Sequence, residues 1–126
     1  MRITFDTHAD LAGLRRAVRE AGRDADLSED RVDDLGLAVS ELATNSLQHG
    51  GGTGQLTIWQ VGPQLVCEVR DSGHMQASAA SAAPDPLAER GRGLWIVDQA
   101  SDEIRRELGR DGTITQVIMY RHGERR

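Results

Sequence analysis

From Ser28 to Gly52 the chain writes one long amphipathic helix and then forbids it to continue. Val32, Leu35, Val39, Leu42 and Ser46 recur at three- and four-residue steps, the stripe a helix turns toward a core. Ser28, followed by Glu29 and Asp30, supplies an N-cap and an acidic first turn that complements the helix dipole. The helix is therefore predicted to run to His49, where Gly50, Gly51 and Gly52 stop it. Such a helix needs a broad apolar surface to lie on, and the next residues read as the strands that provide one. Gln55 to Val61 and Gln64 to Arg70 are predicted strands joined at Gly62-Pro63. In the second strand Leu65, Cys67 and Val69 share one face, and Val66, Glu68 and Arg70 share a wetter one. One further step puts Asp71 on the apolar side, where a carboxylate is costly unless something bonds to it.

The flanking segments complete a layered fold. Arg2 to Asp6 alternates as a short strand, and Leu11, Leu14 and Val18 mark a first helix from His8 to Ala21, broken at Gly22 and Asp24. Residues 74–92 carry the Ala-Ser repeats of Ala77 to Ala83, then Pro84 and Pro86, with no periodicity. They read as a mobile loop inside one domain. Gly91-Arg92-Gly93 opens a short helix through Leu94, Ile96 and Val97. Ile104 to Leu108 and Thr113 to Tyr120 read as two last strands joined at Gly109 to Gly112, and Trp59 and Trp95 as packing residues. This order predicts an α/β (α+β) two-layer sandwich, with helices on one face of a mixed, mainly antiparallel sheet, over residues 1–126 as a single domain.

Bulk properties narrow the function classes. A net charge of -5 argues against a nucleic-acid backbone as direct partner. Cys67 is the only cysteine, so an internal disulfide or cysteine-cluster metal site is excluded. That suits a reducing cytoplasm, the expected location. No apolar run is long enough to span a membrane, and Met1 to Asp6 lacks the apolar core of a signal peptide. His8, His49, His74 and His122 have no metal-ligand spacing, and neither Ser40 nor Ser46 has a nucleophile-elbow context.

Three segments bear chemistry. Glu41, Asn45 and His49 stand one above another at helical spacing. They form either a solvated stripe with a dipole-compatible histidine or an acid–amide wall for a hard cation and its phosphate cargo. Asp71-Ser72-Gly73 is either an Asx-type turn or a buried carboxylate that accepts a hydrogen bond from an exocyclic amine. The inward phase of Asp71 favours the second. Gly91-Arg92-Gly93-Leu94 precedes a helix, where freed backbone and helical N–H groups can wrap an anion; it is neither a dinucleotide fingerprint nor a P-loop.

Taken in order and context, these segments resemble the Bergerat-type (GHKL) ATP-binding superfamily of gyrase, heat-shock chaperone, histidine-kinase and mismatch-repair ATPases. Glu41-x-x-x-Asn45 looks like its first box, Asp71-x-Gly73 its second and Gly91-x-Gly93 its third. Gly112-Thr113 is similar to the Gly-Thr element that supports adenine, with Thr115 as the other candidate on that strand. The run Glu41 to Gly50 most resembles anti-sigma-factor serine/threonine kinases.

That resemblance implies ATP and Mg²⁺ as cofactors. It implies Asn45 on Mg²⁺, Glu41 as catalytic base, Asp71 and Gly73 at adenine, and Gly91, Arg92, Gly93 and Leu94 about the phosphates, with His49 and Thr113 lining the nucleotide site. Residues 74–92 become a lid. As residues 74–89 hold no lysine or arginine, a cation for the outer phosphates must come from Arg90, Arg92 or a partner. The implied partners are a sigma factor to sequester and an antagonist protein to phosphorylate, with room for a homodimer. The rival expectation is a non-catalytic nucleotide-sensing or partner-binding module of the same fold. It is favoured by His74-Met75, which stands where many relatives carry a glycine and an aromatic. A detached half of a larger sensor kinase is the third, and Met1 followed at once by a strand leaves no phosphoacceptor helix here.

Overall fold

The computed structural model describes residues 1–49, 51–73, 101–109 and 112–121. Strand β1 (Arg2–Phe5) leads through a 3-10 turn at His8–Asp10 into α1 (Leu11–Asp24) and then α2 (Glu29–His49). The hairpin β2 (Gly54–Val61) and β3 (Gln64–Asp71) follows, and β4 (Glu103–Gly109) and β5 (Gly112–Tyr120) complete a five-stranded sheet ordered β1-β2-β3-β5-β4. Every described pairing is antiparallel. The parallel element implied by a mixed sheet is therefore absent among the described residues. Each described neighbour runs back along the strand beside it. Among the described residues no helix is long and apolar enough to cross a membrane.

The core lies between the helix pair and one sheet face. Val32, Leu35, Val39 and Leu42 of α2 and Leu14 and Val18 of α1 pack on Leu56, Ile58, Leu65, Cys67, Val69, Val117 and Met119. Each fully buried large aliphatic among them contributes about 1.5–3 kcal/mol. Ser28 caps α2 as its composition predicts, its Oγ accepting a 3.3 Å hydrogen bond from the backbone N–H of Arg31. At the 3-10 turn, the Asp10 carboxylate accepts the backbone N–H of Asp6 at 2.9 Å and that of Thr7 at 3.2 Å. Those donors hold its pKa below the ordinary carboxylate value, Asp6 contributing most.

Gly22 does not break α1. It is buried inside the helix, which runs on to Asp24. A Cβ at Gly22 would sit 3.2 Å from Val32 Cγ2, so glycine here permits close helix–helix approach. The reversal comes later, at Asp26 with φ 62°.

The sheet face turned from the helices is less wet than its charges suggest. Val66 and Ile118 face each other there, at 4% and 1% exposure. Polar chains pair on neighbouring positions. Gln116 Nε2 donates to Glu68 Oε1 at 3.0 Å, and Tyr120 Oη donates to Glu103 Oε1 at 3.1 Å. Trp59, expected in the core, lies opposite Val66 in that same phase and is only half-buried. An ion pair invisible in the sequence joins Arg31 of α2 to Asp102, whose carboxylate is 6% exposed and also accepts the N–H of Tyr120 at 2.7 Å.

Cys67 is wholly buried on β3, as its phase predicts, and burial pushes its thiol up to about 12. The reactive thiolate is scarce in the native protein at any working pH. Alkylation at pH 8 is expected to run about a hundredfold slower without urea than in it, because labelling waits on opening. Equal rates in mass-spectrometric time courses would show that β3 is not sealed.

Candidate functional site

The elements converge at one end of the sandwich. The last two turns of α2 lie against the end of β3 and the start of β5. Registry sets this junction. Asp71 pairs with Gly54 on one side and Thr113 on the other, so its side chain shares the helix-facing phase of Val69 and Cys67. The costly inward carboxylate finds its partner on α2. Ser46 Oγ donates to Asp71 Oδ2 at 2.6 Å, across 25 residues of sequence. The backbone N–H of Gly73 donates to Asp71 Oδ1 at 3.0 Å, and Thr113 Oγ1 donates to the carbonyl of Gly73 at 3.2 Å. Asp71-Ser72-Gly73 is thus an Asx turn whose half-buried acid also points toward α2.

The same pairing separates the two threonines. Both are buried, but Thr113 lies opposite Asp71, and Thr115 lies one facing pair away, opposite Val69. The backbones of β5 and the Asp71 turn touch at Gly112, which has φ 131°. A Cβ there would lie 2.8 Å from Ser72 Cα and 2.9 Å from the Asp71 carbonyl carbon, inside van der Waals contact. Glycine is what lets the turn and the strand close this corner.

On α2, Glu41 and Asn45 are half-buried one turn apart, and His49 is exposed at the helix end. Among the described residues, no side-chain hydrogen bond occupies Glu41 or Asn45. Their immediate neighbours are occupied. Ser40 Oγ accepts from Arg15 at 2.9 Å, Thr44 Oγ1 donates to the Ser40 carbonyl at 2.8 Å, and Ser46 is tied to Asp71. An acid and an amide held at fixed spacing with free polar heads are open to a ligand. The donor chemistry fits a divalent cation that brings its own oxygens. Among the described residues no three His, Cys, Asp or Glu side chains cluster as a metal cage. A cation on the Asn45 amide oxygen would complete its shell with phosphate oxygens and water, the habit of Mg²⁺.

The structure thus brings Glu41, Asn45, Asp71, Gly73 and Thr113 to one end of the fold and leaves His49 at the margin. Gly91, Arg92, Gly93 and Leu94, with the segment 74–92 expected to be a lid, lie outside the described residues, as do Gly50, Trp95 and His122. Ser46 is the residue that sequence reasoning placed only in the apolar stripe. Its polarity within that stripe, at 2% exposure, was the signal that could have found it.

Residues 5–120 match the family model described as the histidine kinase-like ATPase domain. The serine-protein kinase RsbW of Bacillus subtilis (strain 168) is 29% identical over 111 positions, covering 76% of this chain and 69% of that protein. Among solved structures, the RsbU and RsbW domains of Rv1364c from Mycobacterium tuberculosis superpose with TM-score 0.69 at 18% identity. That match covers 95% of this chain, which spans only 32% of that one. The SiaB-SiaC complex from Pseudomonas aeruginosa gives TM-score 0.72 at 12% identity, over 94% of this chain and 88% of the matched one. The two structural likenesses speak to the fold, and the family match over nearly the whole chain carries the assignment. With the helix pair, the antiparallel sheet and the Asp71 corner all in place, the chain belongs to the histidine kinase-like ATPase domain family.

Proposed function

We propose that this chain binds ATP–Mg²⁺ between the end of α2 and the Asp71–Thr113 corner, and transfers the γ-phosphoryl group to a serine or threonine of an antagonist protein. In the same reading it sequesters a sigma factor in the cytoplasm, alone or as a homodimer, and so regulates transcription. The similarity to a serine-protein kinase and the family match support the reading. The observation that carries it is the Ser46–Asp71 hydrogen bond. It ties the helix of Glu41 and Asn45 to the inward acid of β3, which supports a reading in which the acid–amide pair receives the cation and Asp71 the amine.

Each residue has a stated task. Asp71 accepts the exocyclic amine of adenine, with Gly73 and Thr113 holding the turn beside it. Asn45 offers its amide oxygen to the cation. Gly91, Gly93, Leu94 and Arg92 would contact the phosphates, and His49 borders them. Bound ATP–Mg²⁺ supplies the phosphoryl group and neutralises its charge. Glu41 takes the proton of the acceptor hydroxyl as that oxygen bonds to phosphorus and the bridging oxygen leaves with ADP.

Calorimetric titration with an imido analogue of ATP, with and without Mg²⁺, tests the assignment. Asn45→Ala is expected to abolish most of the Mg²⁺-dependent gain in affinity, a loss of about a hundredfold, the scale of one buried charged contact. Binding that remains equally Mg²⁺-dependent in that variant would sink the placement of the cation.

A further inference from the structure

We propose that Ser46 is a positioning residue that fixes the Asp71 carboxylate as a receptor for an exocyclic amine, so that the pocket separates aminopurine nucleotides from those lacking the amine. The inference rests on the nucleotide reading above and adds to it a role for Ser46 in selecting the ligand.

A serine inside a helix ordinarily bonds back to the carbonyl one turn earlier. Ser46 instead sends its hydroxyl out of the helix to Asp71 Oδ2 at 2.6 Å, at 2% exposure. A hydroxyl has one proton, so this donation commits it. The other oxygen, Oδ1, is held by the Gly73 N–H at 3.0 Å. Both donors are anchored in turn. The carbonyl of Ser46 accepts the N–H of Gly52 at 3.3 Å, and the carbonyl of Gly73 accepts Thr113 Oγ1 at 3.2 Å.

Two donors on opposite oxygens stop the carboxylate from rotating. Each oxygen keeps a lone pair, and no proton remains on either side. The corner therefore presents acceptors only. It takes an N–H and repels a carbonyl oxygen at the same place. Without the Ser46 proton, one anchor is lost and the carboxylate must be ordered by the ligand itself, which weakens only the ligands that use it.

The test titrates wild type, Ser46→Ala and Asp71→Asn with the imido analogue of ATP and with purine riboside triphosphate, which lacks the amine. Circular dichroism melts accompany each variant. Ser46→Ala is expected to weaken the adenine ligand about tenfold, the scale of one hydrogen bond to a charged group, and the amine-free ligand less than about twofold. Ser46→Cys, a weaker donor, should fall between wild type and Ser46→Ala. Equal losses on both ligands, or none on either, would overturn the positioning role. If Asp71→Asn loses the preference for the amine while Ser46→Ala keeps it, the inference fails and the nucleotide reading stands. If Asp71→Asn binds the adenine ligand as wild type does, the nucleotide reading fails, and this inference with it.

Discussion

Gly112→Ala is expected to destabilise the fold by about 2–5 kcal/mol, through backbone strain and overpacking acting together. The residue sits at φ 131°, where an L side chain is strained whatever the space around it. Space is also missing. The added methyl would meet Ser72 Cα at 2.8 Å and the carbonyl carbon of Asp71 at 2.9 Å. These are backbone atoms, so no rotamer change relieves the clash. The turn must move, and with it the Gly73 N–H that holds the Asp71 carboxylate. Urea unfolding followed by far-ultraviolet dichroism reads the first effect, and the melting temperature should fall by roughly 10 °C or more. Titration with the ATP analogue on the folded variant reads the second. Gly13→Ala is the control. Gly13 lies on α1 with nothing within 4 Å of a built Cβ, and alanine there should be neutral or stabilising. A Gly112→Ala protein as stable as wild type would mean that β5 and the Asp71 turn do not meet as described.

Glu41→Gln is expected to leave ATP-analogue affinity within about threefold of wild type while lowering phosphate transfer by about 10²–10⁴-fold, the usual contribution of a general base. The amide keeps the size and shape of the carboxylate and removes its negative charge, and with it the capacity to take a proton. Glu41 is half-buried and makes no side-chain hydrogen bond among the described residues, so the change breaks no hydrogen bond among them. Transfer of radiolabelled γ-phosphate to a serine-bearing antagonist protein is the measurement. A wild-type protein that binds nucleotide yet transfers nothing, with Glu41→Gln indistinguishable from it, would decide for the non-catalytic module.

Much of this architecture was legible in the chain itself, for a physical reason. Helix α2 declares itself through a cap, an apolar period and a stop, all local properties. The hairpin strands are adjacent in sequence, and their alternation fixes which residues share a face, with Asp71 in the phase of Cys67 and Val69. Where sequence failed, the deciding contact was distant. Gly22 reads as a helix breaker from propensity, and only the approach of Val32 shows that it is a packing residue. Val66 reads as solvent-facing beside Glu68 and Arg70. It is nevertheless buried, beside Ile118 on the paired strand β5, which its own alternation does not reveal.

The candidate site divides along the same line. Residue types and spacing determined the three chemistry-bearing segments, because helical and extended periods project onto faces without help from the rest of the chain. Sequence could not choose between Thr113 and Thr115, since both lie in one phase of one strand. The pairing of β3 with β5 sets Thr113 opposite Asp71 and Thr115 opposite Val69. Nor could it assign Ser46, whose position in the apolar stripe marks it for burial and says nothing about its partner. Burial of an unpaired hydroxyl or carboxylate is costly, and the fold resolves both costs in one hydrogen bond between α2 and β3. The sequence by itself determined which residues of α2 and β3 face the core. Tertiary structure decided which of them meet, because that depends on how distant segments are brought together.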